Sequence, residues 1–314
     1  IQACEMSDGS YRAIIPASSI LESMFCNYTT SDGTSPLPVE ANRTIVGGTK
    51  ANTCYTLEIH HNGVENATER ALQPGDFVYQ HNGKIEIYPG DAAVDADGKI
   101  PDYDKVVGIV VTCDPTRMTD TKCNEQGWNH AYVMGLENVS DGYLTWGTDF
   151  SSTSLPRITV PEAENDMNGY TETEIMMAQN LSKFPIFSGL KNYRDTHSYL
   201  NTLKRSPWFI PSTGQWFDTV ITFGGISPND FLVDDDTGFF SLNAQASEMV
   251  VKANGHMAKI GTTFPQNIGI WLSSGRSDKW VWTSVLDSGW SIGVLDKTFQ
   301  TNLYIFNTRP FFAF

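Results

Sequence analysis

Residues able to bind metal or transfer protons are plentiful in this chain, but their spacing seldom brings them together. The run DAAVDADGKIPDYD, from Asp91 to Asp104, is the densest carboxylate segment. Asp95, Asp97, Gly98 and Asp104 fall at the third, fifth, sixth and twelfth positions of a calcium loop, where a hard cation is held by side-chain oxygens. The first position is Ala93, however, and Asp104 stands where a bidentate Glu is needed, so a solvated acidic turn is the preferred reading. Asp234-Asp235-Asp236 is read as an exposed turn in the same way, with calcium the lesser alternative. The six histidines show no ligand spacing. His60 and His61, if on a strand, point to opposite faces and cannot share an ion. His130 precedes an apolar run and reads as structural.

Nucleophilic chemistry has no better footing. Ile45-Val46-Gly47-Gly48 has the composition of an activated serine-protease N-terminus, but no Ser lies in a Gly-Asp-Ser-Gly context; a strand entering a glycine turn explains it. Neither a phosphate-cradling glycine loop nor a nucleophile elbow is present. The five cysteines, at 4, 26, 54, 113 and 123, contain no CxxC pair. Cys113 and Cys123 bracket DPTRMTDTK and either close a hairpin as a disulfide or remain free buried thiols; Cys26 and Cys54 are a second candidate pair. No cofactor and no catalytic activity are expected.

Composition narrows the partners. The net charge of −15 disfavours nucleic acid and anionic membranes, which are bound by neutralising phosphates with Lys and Arg. No apolar window is long enough for a transmembrane helix. A chain starting at Ile1, rich in Asn and Thr and acidic, is expected to be a trimmed extracytoplasmic product. Cys4 follows Ile-Gln-Ala, loosely like a lipoprotein cleavage site, although a lipidated Cys would itself be the first residue.

The elements that must position any site follow from periodicity. Residues 1–72 alternate short β-prone runs with turns (YRAIIPA, TIVGGTKA, CYTLEIHHNGV), predicting a small β-sandwich-like domain that ends before Gln73-Pro74-Gly75-Asp76. Residues 73–314 are expected to form the second domain. There FVYQ and KIEIY flank an Asn82-Gly83 turn, and strands are predicted at Val106–Thr112 and His130–Leu136. TETEIMMAQNL, opening with Thr-x-x-Glu at Thr171, reads as a capped helix. A second helix is predicted after Pro211-Ser212, burying Trp216, Phe217, Val220 and Ile221. After about Asn243 the pattern returns to short strands and loops. Two helices among many strands, without βαβ alternation, indicate an α+β fold.

Three stretches carry a resemblance. Trp208-Phe209-Ile210-Pro211-Ser212-Thr213-Gly214-Gln215, Trp271-Leu272-Ser273-Ser274 and Arg309-Pro310-Phe311-Phe312-Ala313-Phe314 resemble, in order and spacing, the motifs of bacterial C-type-lectin-like domains. Such domains occur in Bacteroidetes surface proteins and in variable proteins of diversity-generating retroelements. Gly75-Asp76-Phe77-Val78-Tyr79, the run from His130 to Leu136, and Asp166-Met167-Asn168-Gly169-Tyr170 extend the likeness upstream. Gly48 to Ala71 is loosely similar to fimbrillin β-sandwich strands. The sequence departs from the pattern at Gly275, where Thr or Glu is usual, and in the bulk of Phe311-Phe312. It lacks the Glu-Pro-Asn and Trp-Asn-Asp triplets of calcium-dependent sugar binding. It also has no cysteine after Cys123, as formylglycine-generating chemistry would require.

The resemblance implies a C-type-lectin-like fold in which Trp271, Trp282, Pro310, Phe312 and Phe314 are framework. Ligand contacts then fall to Arg276, Asp278, Lys279, Trp280, Trp290, Phe299, Gln300, Asn302 and Tyr304, a segment that is diversified in some relatives. Aromatic and Arg anchors among small polar residues suit a binding surface. The expected function is adhesin-type recognition of a protein or glycan on a host or neighbouring cell, from the bacterial surface, a lipid anchor or a phage virion. The alternative is a structural pilus or fimbrial tip or stalk subunit that contacts other subunits.

Overall fold

The structure, a computed structural model, describes residues 71–81, 84–197, 204–225, 231–234, 239–242, 246–263, 268–286, 290–301 and 305–314, together with four short strands before residue 40. The chain divides into two compact units, Ile1–Ala71 and Leu72–Phe314. In the first, β1 (Cys4–Glu5) pairs antiparallel with β2 (Tyr11–Arg12), and β3 (Cys26–Tyr28) with β4 (Leu37–Val39). The readings placed on Ile45–Gly48, Gly48–Ala71, Cys54 and His60-His61 lie outside the described residues.

The second unit is α+β, built on two sheets. Strands β5 (Phe77–His81), β6 (Lys84–Tyr88), β7 (Val106–Thr112) and β8 (Tyr132–Gly135) join the last strand, β15 (Phe311–Ala313), in the order β15-β8-β7-β5-β6, all antiparallel. Strands β9 (Phe231–Asp234), β10 (Phe239–Leu242), β11 (Ile268–Gly275), β12 (Trp280–Leu286), β13 (Trp290–Asp296) and β14 (Ile305–Asn307) form a second sheet ordered β14-β11-β12-β13-β10-β9. Only the β11–β14 pairing is parallel.

Strands β5, β7, β8 and β15 are buried on both faces, which explains their unbroken apolar runs. Phe77, Ile109, Tyr132 and Phe311 enter one hydrophobic cluster with Trp216, Trp282 and Trp290. Their chain neighbours Val78, Val110, Val133 and Phe312 enter a second with Trp146, Trp208 and Trp271. Successive side chains on a strand point to opposite faces, so covering both faces requires apolar residues at both parities.

The α-helices among the described residues are α1 (Thr121–Glu125), α2 (Val160–Ala163), α3 (Gly169–Met177), α4 (Pro185–Thr196), α5 (Thr213–Gly224) and α6 (Ala246–Ala258). The sequence reading of two helices therefore falls short. Helix α4 buries Ile186, Phe187, Leu190 and Tyr193 at helical spacing, but Pro185 and Gly189 disguise it; the proline sits harmlessly in its first turn. Helix α6 interrupts the strands and loops expected after Asn243, which resume at β11, and it buries Ala253 and Met257, one turn apart. Helix α3 begins at Gly169, two residues before the expected cap. Thr171 instead donates its hydroxyl to Asp120 (2.7 Å), and Glu174 pairs with Arg194 (2.8 Å). The disulfide option for Cys113 and Cys123 is corrected as well, since both are free thiols. Cys123 is buried and Cys113 donates to the Leu72 carbonyl (3.1 Å).

Helix α5 begins as read, with a capping box in which Ser212 N–H donates to Gln215 Oε1 (3.0 Å). Trp216, Phe217 and Val220 are buried as expected, whereas Ile221 is half-buried. At its first turn, Gly214 lies so close to the preceding loop that an added Cβ would stand 2.6 Å from the Asp166 carbonyl oxygen and 2.7 Å from that of Glu164. Gly255 in α6 faces open space. Gly214→Ala is expected to cost about 1–3 kcal/mol through overpacking. Gly255→Ala is expected to add about 0.5–1 kcal/mol by restoring a good helix former. Urea unfolding midpoints of the two variants check both signs.

Candidate functional site

The site is built around the hairpin joining β11 to β12. Arg276 N–H (3.0 Å) and Ser277 N–H (2.9 Å) both donate to the Trp280 carbonyl. Ser277 Oγ accepts from the N–H groups of Lys279 (3.2 Å) and Trp280 (3.0 Å), closing the turn from inside. The turn is tied to its surroundings at both ends. Ile158 N–H donates to the Gly275 carbonyl (2.8 Å), and Lys297 N–H donates to the Lys279 carbonyl (3.0 Å).

Three of the expected contact residues meet here at the surface. Asp278, Lys279 and Trp280 are exposed, with Trp280 at 39%. The Lys279 ammonium lies 4.7 Å from the centre of the Trp280 ring and 5.8 Å from that of Phe150, which is 49% exposed. Lys279 also faces Asp296 at 3.9 Å. Asp278 accepts from Ser152 Oγ (3.0 Å) and faces Arg157 at 3.8 Å. Arg276 is half-buried and reaches the Ile158 carbonyl (3.4 Å).

The remaining expected residues are placed otherwise. Trp290 is corrected from contact to core: it is 2% exposed and packs in the cluster of Phe77 and Trp282. Register explains it, since Trp290 opposes buried Leu286 on β12 while Trp280, at the other end of β12, opposes Asp296 at the open end. Phe299 is half-buried against Phe306, with ring centres 5.5 Å apart. Gln300 is exposed, and Asn302 and Tyr304 lie outside the described residues. Trp271, Trp282, Pro310 and Phe312 are buried, as a framework role requires, and Phe314 is half-buried.

Sequence reasoning missed the loop that supplies Phe150, Ser152 and Arg157. Its one signal was a lone phenylalanine in a polar run, GTDFSSTSLPR. Lys297 pins this loop beneath the hairpin. Its side chain is fully buried, its ammonium donates to the Ser151 carbonyl (3.3 Å) and stands 5.0 Å from the Trp146 ring centre, and its own carbonyl accepts from Gly147 N–H (2.9 Å). Burial pushes the Lys297 pKa down, and the nearby carboxylates of Asp278 and Asp149 oppose that shift. Asp149 is held low, at about 2, first by hydrogen bonds from Ser151 and then by Lys183.

Behind β11 lies the polar knot that sets where the hairpin begins. Ser274 Oγ donates to Asp166 Oδ2 (2.5 Å) and accepts from Thr213 N–H (3.0 Å), while Ser273 Oγ bonds Glu172 Oε2 (2.6 Å). Ser212 Oγ donates to the Asp166 carbonyl (2.6 Å), and Gln215 donates to that of Met167 (2.9 Å). Burial raises the Asp166 pKa, and its hydrogen bonds act against the rise. Glu172 is raised far more, first by complete burial and then by the Asp166 charge. Its Oε1 is buried without a hydrogen-bond partner, as suits a neutral acid.

The acidic run 91–104 forms no such centre. Asp95 accepts from the N–H groups of Asp97 (2.9 Å) and Lys99 (2.8 Å), and Asp102 pairs with Lys105 (2.9 Å). Among the described residues, no group of three or more His, Cys, Asp and Glu side chains is placed to hold a metal ion. His130 is exposed and its N–H donates to the Phe314 carbonyl (2.7 Å). No described helix is long and apolar enough to cross a membrane.

No protein-family model matches the chain, and no curated protein is similar to it at a significant level. Among solved structures it is similar to a fimbrial protein from Bacteroides ovatus ATCC 8483, with 17% identity and a TM-score of 0.48. The match covers 77% of this chain and 49% of that one, so the chain spans about half the length of the fimbrial protein. A likeness this slight transfers neither fold nor function.

A carboxyl group whose pKa rises on folding stabilises the protein fully below its unfolded value, and that contribution is lost as pH climbs through the folded value. For Glu172 the loss begins near the ordinary 4.5. Glu172→Gln keeps a neutral, hydrogen-bonding side chain at every pH. The variant's stability relative to wild type is therefore expected to increase from pH 4.5 towards pH 8, read from urea midpoints. Parallel profiles would remove Glu172 as the source.

Proposed function

We infer that the chain is a surface-displayed or secreted bacterial binding protein of adhesin type, and that residues 72–314 form a C-type-lectin-like domain that presents its ligand face at the β11–β12 hairpin. The observation that carries this reading is the exposed cluster of Trp280 and Lys279, on a turn fixed by backbone hydrogen bonds, with Phe150 of the neighbouring loop. Large aromatic rings left in water on a rigid support gain free energy when a partner covers them, and little is then lost in ordering the site. The α+β architecture with two sheets and the burial of Trp271, Trp282 and Phe312 support this reading. On this reading the Asp278, Lys279 and Trp280 side chains touch ligand, Arg276 and Lys297 hold the turn, and no catalytic step takes place.

The contrast between two tryptophans tests it. The labelled chain is applied to a panel of epithelial and bacterial cells, and saturable binding is measured. Trp280→Ala is expected to weaken binding at least tenfold, in line with hot-spot losses of about 2 kcal/mol or more, with an unchanged melting temperature. Trp290→Ala is expected to cost about 3–5 kcal/mol of stability, as for other buried aromatics. If no cell binds the chain and it assembles into filaments visible by electron microscopy, the structural-subunit reading replaces this one.

A further inference from the structure

The hairpin face also indicates what kind of ligand it takes. The exposed large apolar side chains in the described part of the second unit are Ile87, Val94, Tyr103, Phe150, Val251, Trp280 and Ile305. Of these, only Phe150 and Trp280 flank Lys279, and the others belong to different elements. A stable protein partner buries about 800 Å² on each side around an apolar centre, far more than two rings supply. Two exposed rings within 6 Å of one ammonium match the apolar faces of one or two sugar rings.

The exposed charges on this face are already paired, and the half-buried Arg276 guanidinium is turned to the Ile158 carbonyl (3.4 Å). Arg157 faces Asp278 at 3.8 Å, Lys183 faces Asp149 at 3.2 Å and Lys279 faces Asp296 at 3.9 Å. The buried Lys297 ammonium is turned inward, to the Ser151 carbonyl. An ionised ligand would have to break one of these pairs and leave a like charge beside it. A hydroxyl group fits without that cost, because it accepts from a Lys or Arg N–H and donates to the neighbouring carboxylate at once. The serine hydroxyls complement each other: Ser277 Oγ, which already accepts twice, keeps its proton to donate, and Ser152 Oγ, which donates to Asp278, keeps lone pairs to accept. The chain's net charge of −15 further disfavours acidic ligands at long range.

We propose that the face formed by the 276–280 hairpin and the 149–157 loop binds a neutral glycan, stacking a sugar ring on Trp280 or Phe150 and exchanging hydrogen bonds with the Asp278–Arg157 and Lys279–Asp296 pairs. No metal ion takes part. The proposal rests on the binding-protein reading and names the ligand class for that same face.

The full chain is screened, with EDTA present, on printed oligosaccharides ending in galactose, glucose, mannose or N-acetylglucosamine, on the same glycans capped with sialic acid or sulfate, and on a panel of cell-surface proteins. The expected result is binding to one or more uncapped glycans, changed less than twofold between 50 and 500 mM NaCl. That binding should fall at least tenfold in Phe150→Ala and in Trp280→Ala, both with wild-type circular dichroism and melting temperature. Binding only to capped glycans, or only to a protein, that is lost in Trp280→Ala would overturn the ligand class and leave the binding-protein reading intact. Glycan binding untouched by both substitutions, or abolished by EDTA, would overturn the proposed site. Absence of binding on every surface would overturn both readings together.

Discussion

The hydrogen bond from Ser274 to Asp166 is the contact on which most of the second unit's order depends. It joins the end of β11 to the loop before α3, and the same two residues engage Thr213 and Ser212 at the start of α5. Three segments distant in sequence thus converge on one buried carboxyl group. A polar cluster under an apolar shell tolerates few arrangements, because each missing partner leaves a desolvated group at a cost of about 1–3 kcal/mol. Such a cluster specifies a register where hydrophobic packing alone would accept several. Gly214 belongs to the same constraint: only a residue without a side chain lets α5 start against the Asp166 and Glu164 carbonyls.

From this knot the route to the surface is short. Ser274 is followed by Gly275, where β11 ends, and by the turn that carries Asp278, Lys279 and Trp280. Strand β12 then returns through Trp282, whose indole N–H donates to the Ile158 carbonyl (3.1 Å), next to Arg157. The exposed residues are therefore one to three positions away from buried ones. Substitution at the tip leaves the support unchanged, so the surface tolerates change there while the fold is kept.

Much of this was legible in the residues, for different reasons in different places. The run Val106–Thr112 and the hairpin strands FVYQ and KIEIY are seen as strands because β-branched and aromatic residues crowd them. Helix α5 is marked by Ser212 and Gln215 at cap spacing. Helices α4 and α6 were hidden because Pro185 and Gly255 weigh against a helix locally, and burial of one face outweighs that preference. In the site, composition distinguished the 276–280 turn as surface but could not separate Trp280 from Trp290. Both sit on β-strands in similar company, and only the pairing register places one at the open end and the other over the core. Phe150 and Arg157 were out of reach because their closeness to Lys279 and Asp278, respectively, is made by tertiary structure, with buried Lys297 holding the loop.

The place of β15 has a consequence for how the chain acquires its shape. Phe311, Phe312 and Ala313 pair with Met134, Val133 and Tyr132, strands separated by more than half of the 314-residue sequence. Phe209 also exchanges both backbone hydrogen bonds with Phe311 (2.7 Å each). Loop-closure entropy must be overcome before such distant strands reward each other, and folds dominated by non-local pairing complete slowly, on the scale of about milliseconds to seconds. During vectorial synthesis β5, β7 and β8 can pair among themselves, yet the edge of β8 stays open until residue 313 arrives. The interval during which that apolar edge is unpaired, and open to a neighbouring chain or a chaperone, is governed by elongation through the segment carrying the exposed 276–280 hairpin.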